Sequence, residues 1–181
     1  DFTRGIAYPP DLLKYNTALI DFTNGFYGTV IPVGVDINSD LFSTNTSLRN
    51  ISYCWANCTF DKRAYNADGT QTIYPQINFS QLFINNTRIS NASNLFAVLG
   101  SNEDNKGLLL IEDTLLQNSY NLNNVSGMFY YCNSLQGSVP LFNSLSYPIL
   151  NVVTGYLSGV SQSSITNADQ LESKFKPTEW T

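Results

Sequence analysis

Leu122-Asn-Asn-Val-Ser-Gly-Met-Phe-Tyr-Tyr-Cys-Asn-Ser-Leu135 contains the clearest copy of a motif that recurs along this 181-residue chain. The motif is an aliphatic residue, any residue, Asn or Asp, an apolar residue, and then Ser, Thr or Asp, with more apolar residues at helical spacing. Internal repetition is typical of stacked units, which form binding surfaces more often than catalytic pockets. The five copies lie near residues 19–26, 48–58, 89–99, 122–135 and 165–175.

Each copy predicts a short helix that begins at its Asn or Asp. A short side-chain oxygen there can accept a hydrogen bond from the free N–H groups of the first helical turn. We therefore expect Asn50, Asn91 and Asn124 to begin helices of about two turns, each side chain bonded to a backbone N–H two or three residues later. Asp21 and Asn167 take the same place in the first and fifth copies.

A helix of two turns is not stable alone, so the apolar residues of each copy must pack on a neighbouring copy. The sequence therefore predicts one continuous stack of buried side chains. Its expected members are Ile51, Trp55, Ala92, Phe96, Val125, Phe129 and Leu135.

The fourth copy resembles the BspA-like leucine-rich repeat, a family of bacterial surface and phage-associated proteins, over about fifteen residues. That repeat typically carries Val-Ser-x-Met-Phe-x-x-Cys-x-x-Leu followed by a short strand, which here would span 137–142. The resemblance implies an α/β fold, an irregular leucine-rich-repeat-like solenoid of short strands and short N-capped helices. The copies begin 29, 41, 33 and 43 residues apart, whereas leucine-rich repeats usually run roughly 20–29 residues. A compact fold that reuses the motif is therefore the alternative.

The rest of the chain predicts further short elements within a single domain over 1–181. Strands are expected at 28–36 and 107–116, a hairpin at 61–74, and a strand or short helix at 151–160. Pro177 predicts an irregular tail after Phe175. No apolar run is long enough to cross a membrane as a helix. No signal peptide is visible and the first residue is Asp1, so we expect a removed leader or a piece of a larger polypeptide.

Composition points away from nucleic acid and towards an extracellular protein. Charged residues make up 13% of the chain, the net charge is −5, and the nine basic residues are scattered. Phosphate binding needs clustered Lys and Arg, which this chain lacks in its sequence. Low charge combined with abundant Asn, Ser and Thr is typical of extracellular and virion proteins.

The residue types needed for catalysis or metal binding are missing or badly spaced. The chain has no His, which removes the commonest general base and zinc ligand. Glu103-Asp104 and Glu112-Asp113 are sequence neighbours, and adjacent side chains diverge along a strand. The segment 36–40 has the spaced oxygen ligands of a calcium loop but has Leu41 where that loop needs Gly. We expect no catalytic residue, cofactor or metal, with a carbohydrate-active enzyme built on a carboxylate pair as the alternative.

Two further residue types have structural explanations. Cys54, Cys58 and Cys132 are expected to be small buried thiols, because three cysteines form no disulfide framework. Seven Asn-x-Ser/Thr glycosylation sequons occur, but Asn50, Asn91 and Asn124 belong to the motif itself. A glycan would compete with their capping bonds, which favours a structural origin and a bacterial or bacteriophage source.

These patterns predict a non-enzymatic adhesion or protein-binding module on a cell surface or virion. The alternative is a structural component of a virion, such as a phage tail, fibre or capsid-decorating protein. Partners would be other proteins, with no nucleic acid and no membrane insertion. The contact surface should be aromatic and weakly charged, so that binding depends little on salt. Candidate contact residues are Tyr65, Tyr74, Tyr147 and Tyr156, unless these tyrosines complete the fold.

Overall fold

The structure is a computed structural model of the chain, and it describes residues 11–31, 39–60, 79, 81–99, 109–133 and 135–180. The strands are β1 (Val30–Ile31), β2 (Thr59–Phe60), β3 (Leu109–Ile111) and β4 (Leu135–Gly137), with parallel pairs β1–β2 and β3–β4. The helices in this part of the chain are all of the 3-10 type, at Ser39–Phe42, Gln162–Ser164, Ala168–Gln170 and Ser173–Phe175.

Consecutive copies of the motif lie side by side in parallel. Single parallel bridges join Asp21 to Asn50, Asn50 to Asn91, Asn91 to Asn124, and Asn124 to Val152. We name the eight residues that begin at each of these positions segments 1 to 5. They are 21–28, 50–57, 91–98, 124–131 and 152–159.

Backbone hydrogen bonds join each segment to the next in one fixed pattern. In segment 1, the N–H groups of the second, fourth, sixth and eighth residues donate to the carbonyls of the first, third, fifth and seventh residues of segment 2. The same four bonds recur at the three following interfaces, with N–O distances of 2.7 to 3.1 Å throughout. Polar backbone groups that would otherwise be buried without partners are thereby satisfied between segments.

The helices expected at the first four motif copies are not found among the described residues, and that expectation was wrong. Each segment is a series of tight turns, such as the bonds from Cys54 N–H to the Ile51 carbonyl and from Ala56 N–H to the Tyr53 carbonyl. An α-helix would use these N–H groups within the segment. Here the alternate ones donate to the neighbouring segment instead.

Two positions in every segment have left-handed backbone, which the turns require at their third residue. The fourth residues are Asn24, Tyr53, Asn94, Gly127 and Gly155, with φ from 54° to 70°. The eighth residues are Gly28, Asn57, Val98, Tyr131 and Gly159, with φ from 49° to 78°. Gly and Asn predominate because they tolerate this conformation best.

The side-chain bond predicted for the motif is confirmed at four copies. The Oδ1 atoms of Asn50, Asn91 and Asn124 accept from the backbone N–H two residues later at 3.0 to 3.1 Å. Asp21 accepts in the same way from Thr23 at 2.8 Å. The bond closes a local side-chain turn and not a helix cap.

The fifth predicted copy does not join this stack. Asn167 precedes a 3-10 helix but makes no capping bond; its side chain accepts from Val139 N–H at 3.0 Å and donates to the Val139 carbonyl at 2.9 Å. The fifth stacked segment is 152–159, where Val152 replaces the Asn. Ile165 instead forms a parallel bridge with Gly137, at the end of β4.

The predicted core is confirmed. All seven residues expected in the stack are at most 1% exposed and belong to one buried cluster. An aromatic ring from each segment contacts one in the next, and Trp55, Phe96 and Phe129 are near-parallel with ring centres 5.7 to 5.9 Å apart. Phe26 and Tyr156 extend this ladder at its two ends, at 5.4 and 5.3 Å from their neighbours.

A row of buried asparagine side chains, Asn45 and Asn86, lies before segments 2 and 3. Asn45 Nδ2 donates to the carbonyls of Leu13 and Asn16, at 3.1 and 2.8 Å. Asn86 Nδ2 donates to those of Phe42 and Asn45, at 3.1 and 2.9 Å. The shared sequence Leu-Phe-x-x-Asn-Thr, at 41–46 and 82–87, marks this row, which was not among the sequence predictions.

Other local expectations are met in part. Strands were expected over 28–36, 107–116 and 137–142, but the described ones are the shorter β1, β3 and β4. Residues 151–160 form turns where a strand or helix was expected, and the tail after Phe175 is irregular as predicted. The hairpin predicted at 61–74 lies outside the described residues.

Cys54, Cys58 and Cys132 are buried free thiols, as expected. None of the described helices has the length and apolar character of a membrane span.

Candidate functional site

Two of the predicted contact residues are in the core. Tyr147 is 7% exposed and Tyr156 is 1% exposed, and their hydroxyls donate to the carbonyls of Leu116 and Pro140, each at 3.1 Å. Burial raises the pKa of Tyr147 to about 12 and holds that of Tyr156 well above its usual value. The contact role predicted for these two tyrosines is therefore wrong for this structure, because both complete the fold. Tyr65 and Tyr74 lie outside the described residues.

A different set of tyrosines is exposed on the outer side of the turns. Tyr27, Tyr53, Tyr130 and Tyr131 are 50%, 41%, 42% and 48% exposed. They come from the fourth, seventh and eighth residues of segments 1, 2 and 4, which lie on one side of the stack. We call these four residues the tyrosine face.

Three of these tyrosines border a shallow depression of about 340 Å³. Ala56 and Ala97 lie at its base, and small side chains there leave room between the rings of segments 2 and 4. Asn57 and Asn94 add amide groups that can donate and accept hydrogen bonds. Among the described residues, the lining consists of Tyr27, Tyr53, Ala56, Asn57, Asn94, Ala97, Val98 and Tyr130, none of which is charged.

The backbone beneath this face has unusual conformations for its residue types. Tyr53 has φ 57°, Tyr131 has φ 49° and the β-branched Val98 has φ 59°. Left-handed backbone costs roughly 1–2 kcal/mol for a residue with a Cβ atom. Equivalent positions in other segments carry Gly or Asn, so folding alone does not require tyrosine there. Such strain is more common at functional sites than elsewhere.

The tyrosine face is held in place by the stack. The backbone of Tyr53 donates to the Ser93 carbonyl at 3.0 Å, and that of Tyr131 donates to the Ser158 carbonyl at 2.8 Å. The rings of Tyr130 and Tyr131 pack edge to face with centres 4.6 Å apart. A ring fixed in this way loses little conformational entropy when it contacts a partner.

The described residues do not form a metal-binding cluster. No group of three His, Cys, Asp or Glu side chains in the described ranges converges on one point. Burial raises the pKa of the Cys54 and Cys58 thiols, so both are held in the unreactive protonated form. Glu112 and Asp113 are both exposed, and the Asp113 N–H is bonded to Ser138 Oγ at 3.1 Å.

Sequence reasoning missed the tyrosine face because it treated exposed aromatics singly. Aligning the motif copies by their Asn or Asp places Tyr27 and Tyr130 at the same position, seventh in the segment. Tyr53 and Tyr131 fall at the fourth and eighth positions, which the helix interpretation assigned no special role.

Comparisons of this chain with protein-family models, with curated proteins and with solved structures find no match.

Proposed function

We propose that this chain is a non-enzymatic protein-binding or adhesion module, built as a leucine-rich-repeat-like solenoid and displayed on a cell surface or virion. The solenoid part of the proposal is supported by the four consecutive interfaces that share one backbone hydrogen-bond pattern. Stacked units of this kind extend a surface in one direction and so suit contact with a large partner. The observed turns replace the helices of the original expectation.

The observation that carries the binding proposal is the tyrosine face. Four tyrosines, each at least 41% exposed, lie together in a chain that buries most of its other large aromatic side chains. Tyr is enriched in protein interfaces because its ring supplies contact area and its hydroxyl supplies a hydrogen bond. Tyr and Asn, which line this surface, are also enriched in antibody contact loops.

The experiment compares two variants that remove exposed tyrosines from different places. Tyr53→Asn, Tyr130→Asn and Tyr131→Gly are combined in the face variant. Asn and Gly are chosen because residues 53 and 131 have left-handed backbone, which these residue types accept. Tyr15→Ser and Tyr120→Ser are combined in the control variant, since both are exposed outside the face. Wild type and both variants are tested on an array of secreted and cell-surface proteins.

The proposal predicts that proteins bound by wild type are retained by the control variant and lost by the face variant. Binding should change little between low and high salt, because the face carries no charge. Equal binding by the face variant would remove these tyrosines from the interface. Turnover of a glycan or peptide by the isolated chain would contradict the non-enzymatic assignment.

The second candidate is a structural component of a virion or other large assembly, and the two outer edges of the stack favour it. Segments 1 and 5 have hydrogen-bonding groups with no partner within the described part of the chain. The unpaired carbonyls belong to Asp21, Thr23, Gly25 and Tyr27, and the unpaired N–H groups to Val153, Gly155, Leu157 and Gly159. These are the two halves of the pattern used inside the stack, so segment 5 of one copy could pair with segment 1 of another.

Mass measurement over a concentration series separates the candidates. Head-to-tail pairing adds copies in steps of 20.1 kDa without closing at a dimer. Val153→Pro removes one edge donor and should weaken such growth, whereas Thr154→Pro leaves all four donors in place. A chain that stays monomeric at every concentration would contradict the assembly candidate and leave the adhesion candidate standing.

A further inference from the structure

A second surface of the stack carries positive charge in an otherwise acidic protein. The chain before each segment makes a tight turn, such as the one closed by the bond from the Ile89 N–H to the Asn86 carbonyl. One inward-facing aliphatic residue then lies between two outward-facing positions. The inward residues Leu48, Ile89 and Leu122 are each 0% exposed. The outward positions over the five segments are Ala18, Ile20, Ser47, Arg49, Arg88, Ser90, Asn121, Asn123, Ile149 and Asn151.

Arg49 and Arg88 are the charged residues among these ten positions, and both are exposed. Ser90 fixes their relation, because its N–H donates to the Arg49 carbonyl at 2.8 Å and its Oγ to the same carbonyl at 3.2 Å. Arg88 lies in the tight turn that precedes Ile89, two residues before Ser90.

Both arginines line one open depression of about 370 Å³, together with Ser90, Asn121 and Ile149. Neither guanidinium forms an ion pair with a carboxylate in the described ranges. Two unpaired cations side by side repel each other, and an oxyanion between them would remove that repulsion. Arg is well suited to a carboxylate because its planar group donates two parallel hydrogen bonds.

We propose that this depression binds the carboxylate of an acidic saccharide. The Ser90 hydroxyl and Asn121 amide lie beside the arginines and suit the hydroxyl groups of a sugar ring. Ile149, 49% exposed, offers an apolar contact to the ring's C–H face. The site is separate from the tyrosine face, and it does not depend on the function proposed for that face.

Backbone pairing argues for a saccharide and against an acidic peptide. An extended peptide binds an exposed edge through free backbone groups. Here the groups around the depression are already paired, since Asn123 N–H and Asn124 N–H both donate to the Ser90 carbonyl at 2.9 and 3.2 Å. Asn121 Nδ2 is likewise close to the Thr87 carbonyl, at 3.4 Å. Recognition at this place must therefore use side chains.

Calorimetry and amide NMR of the full chain with trigalacturonate test the proposal. The neutral methyl ester of the same trisaccharide and a Glu-rich hexapeptide are the comparison ligands. Arg49→Gln and Arg88→Gln each remove one cation, and Lys14→Gln removes one exposed cation elsewhere as the control. Thermal unfolding confirms that all three variants remain folded.

We expect saturable binding of trigalacturonate with shifts at the amides of Arg49, Arg88 and Ser90. The methyl ester and each arginine variant should bind at least about tenfold more weakly, since a hydrogen bond to a charged group is lost. Lys14→Gln should match wild type, and added salt should weaken binding. No saturable binding at about 10 mM would overturn the proposal. Equal binding of the methyl ester, or tighter binding of the hexapeptide, would do the same.

Discussion

At residue 152 the stack has Val where the other four segments have Asn or Asp. Asn124 Oδ1 accepts from both the N–H and the Oγ of Ser126, at 3.0 and 2.8 Å, while Val152 can accept neither bond for Thr154. Val152 is 42% exposed, so its side chain contributes little to the core. Each motif side chain thus stabilises its own turn, and segment 5 does without that bond.

Substitutions at residues 124 and 152 should change the stability of the fold in opposite directions. Asn124→Ala removes both bonds and should lower the free energy of unfolding by about 1 kcal/mol. Val152→Asn supplies the missing acceptor to Thr154 and should raise it by about 0.5–1 kcal/mol. Urea unfolding of the two variants measures both changes. A loss of stability in Val152→Asn would show that segment 5 does not share the local geometry of the others.

Tyr53 provides a second residue-scale prediction. Tyr53→Asn should relieve the strain of the left-handed backbone at this position, and we expect it to raise the free energy of unfolding by about 1 kcal/mol. Tyr130→Asn is the matched control, because Tyr130 is equally exposed but is not among the residues with positive φ. Thermal unfolding of both variants makes the comparison. Equal effects would mean that the strain at Tyr53 is not stored in its backbone.

The buried hydroxyls predict a loss of stability in alkali. Burial raises the pKa of Tyr147 from 10.0 to about 12, with a smaller contribution from Tyr120. A pKa raised in the folded state gives stability that is full below pH 10 and is lost as the pH rises through about 12. Tyr147→Phe should therefore lose less stability than wild type across this window, measured by urea unfolding at fixed pH values. Parallel losses in the two proteins would contradict the assignment.

Between elements, the row of buried asparagines joins one layer of the stack to the next. Asn86 is fully buried, and its amide bonds two carbonyls of the preceding layer. Its Oδ1 has no hydrogen-bond partner in the described part of the chain, nor does that of Asn45. Burying an oxygen without a partner costs free energy, so these side chains can stabilise the fold only through the bonds that their Nδ2 atoms donate.

Asn86→Ala should cost about 1–3 kcal/mol, because the bonds from its amide to two buried carbonyls are lost while each carbonyl keeps one backbone donor. Asn85→Ala is the matched control at the neighbouring exposed position and should change stability by less than about 0.5 kcal/mol. Guanidinium unfolding with the same protein concentration compares the two. A small cost at residue 86 would mean that water replaces the amide and that the row is not a structural ladder.

At the scale of the whole molecule, the sequence predicts the stack better than its local form. The apolar positions after each Asn identify the buried stack from Ile51 to Leu135, because burial follows from spacing within a repeat. The same spacing suits a helix and a series of turns, so it could not show that the N–H groups bond between segments. Segment 5 was missed because Val152 removes the polar residue that marks the motif.

The candidate sites show the same division. Tyr147 and Tyr156 looked like connecting-segment aromatics, and only the fold reveals that they fill the core. The tyrosine face and the Arg49–Arg88 depression both arise from residues in different segments. The residues of these sites become neighbours only through the intervals of 29, 41 and 33 residues between segments, which no single copy contains. Function in a repeated chain is therefore best sought by aligning copies and comparing their outward positions.

Amide hydrogen exchange of the dilute chain tests most directly that the segments form one hydrogen-bonded stack that supports both surfaces. The N–H groups of Ala92, Asn94 and Phe96 bond to segment 4, whereas those of Val153, Gly155 and Gly159 have no partner among the described residues. If the stack forms, exchange in the first group should be slower by about two orders of magnitude or more. Equal exchange rates in the two groups would contradict the hydrogen-bonded stack.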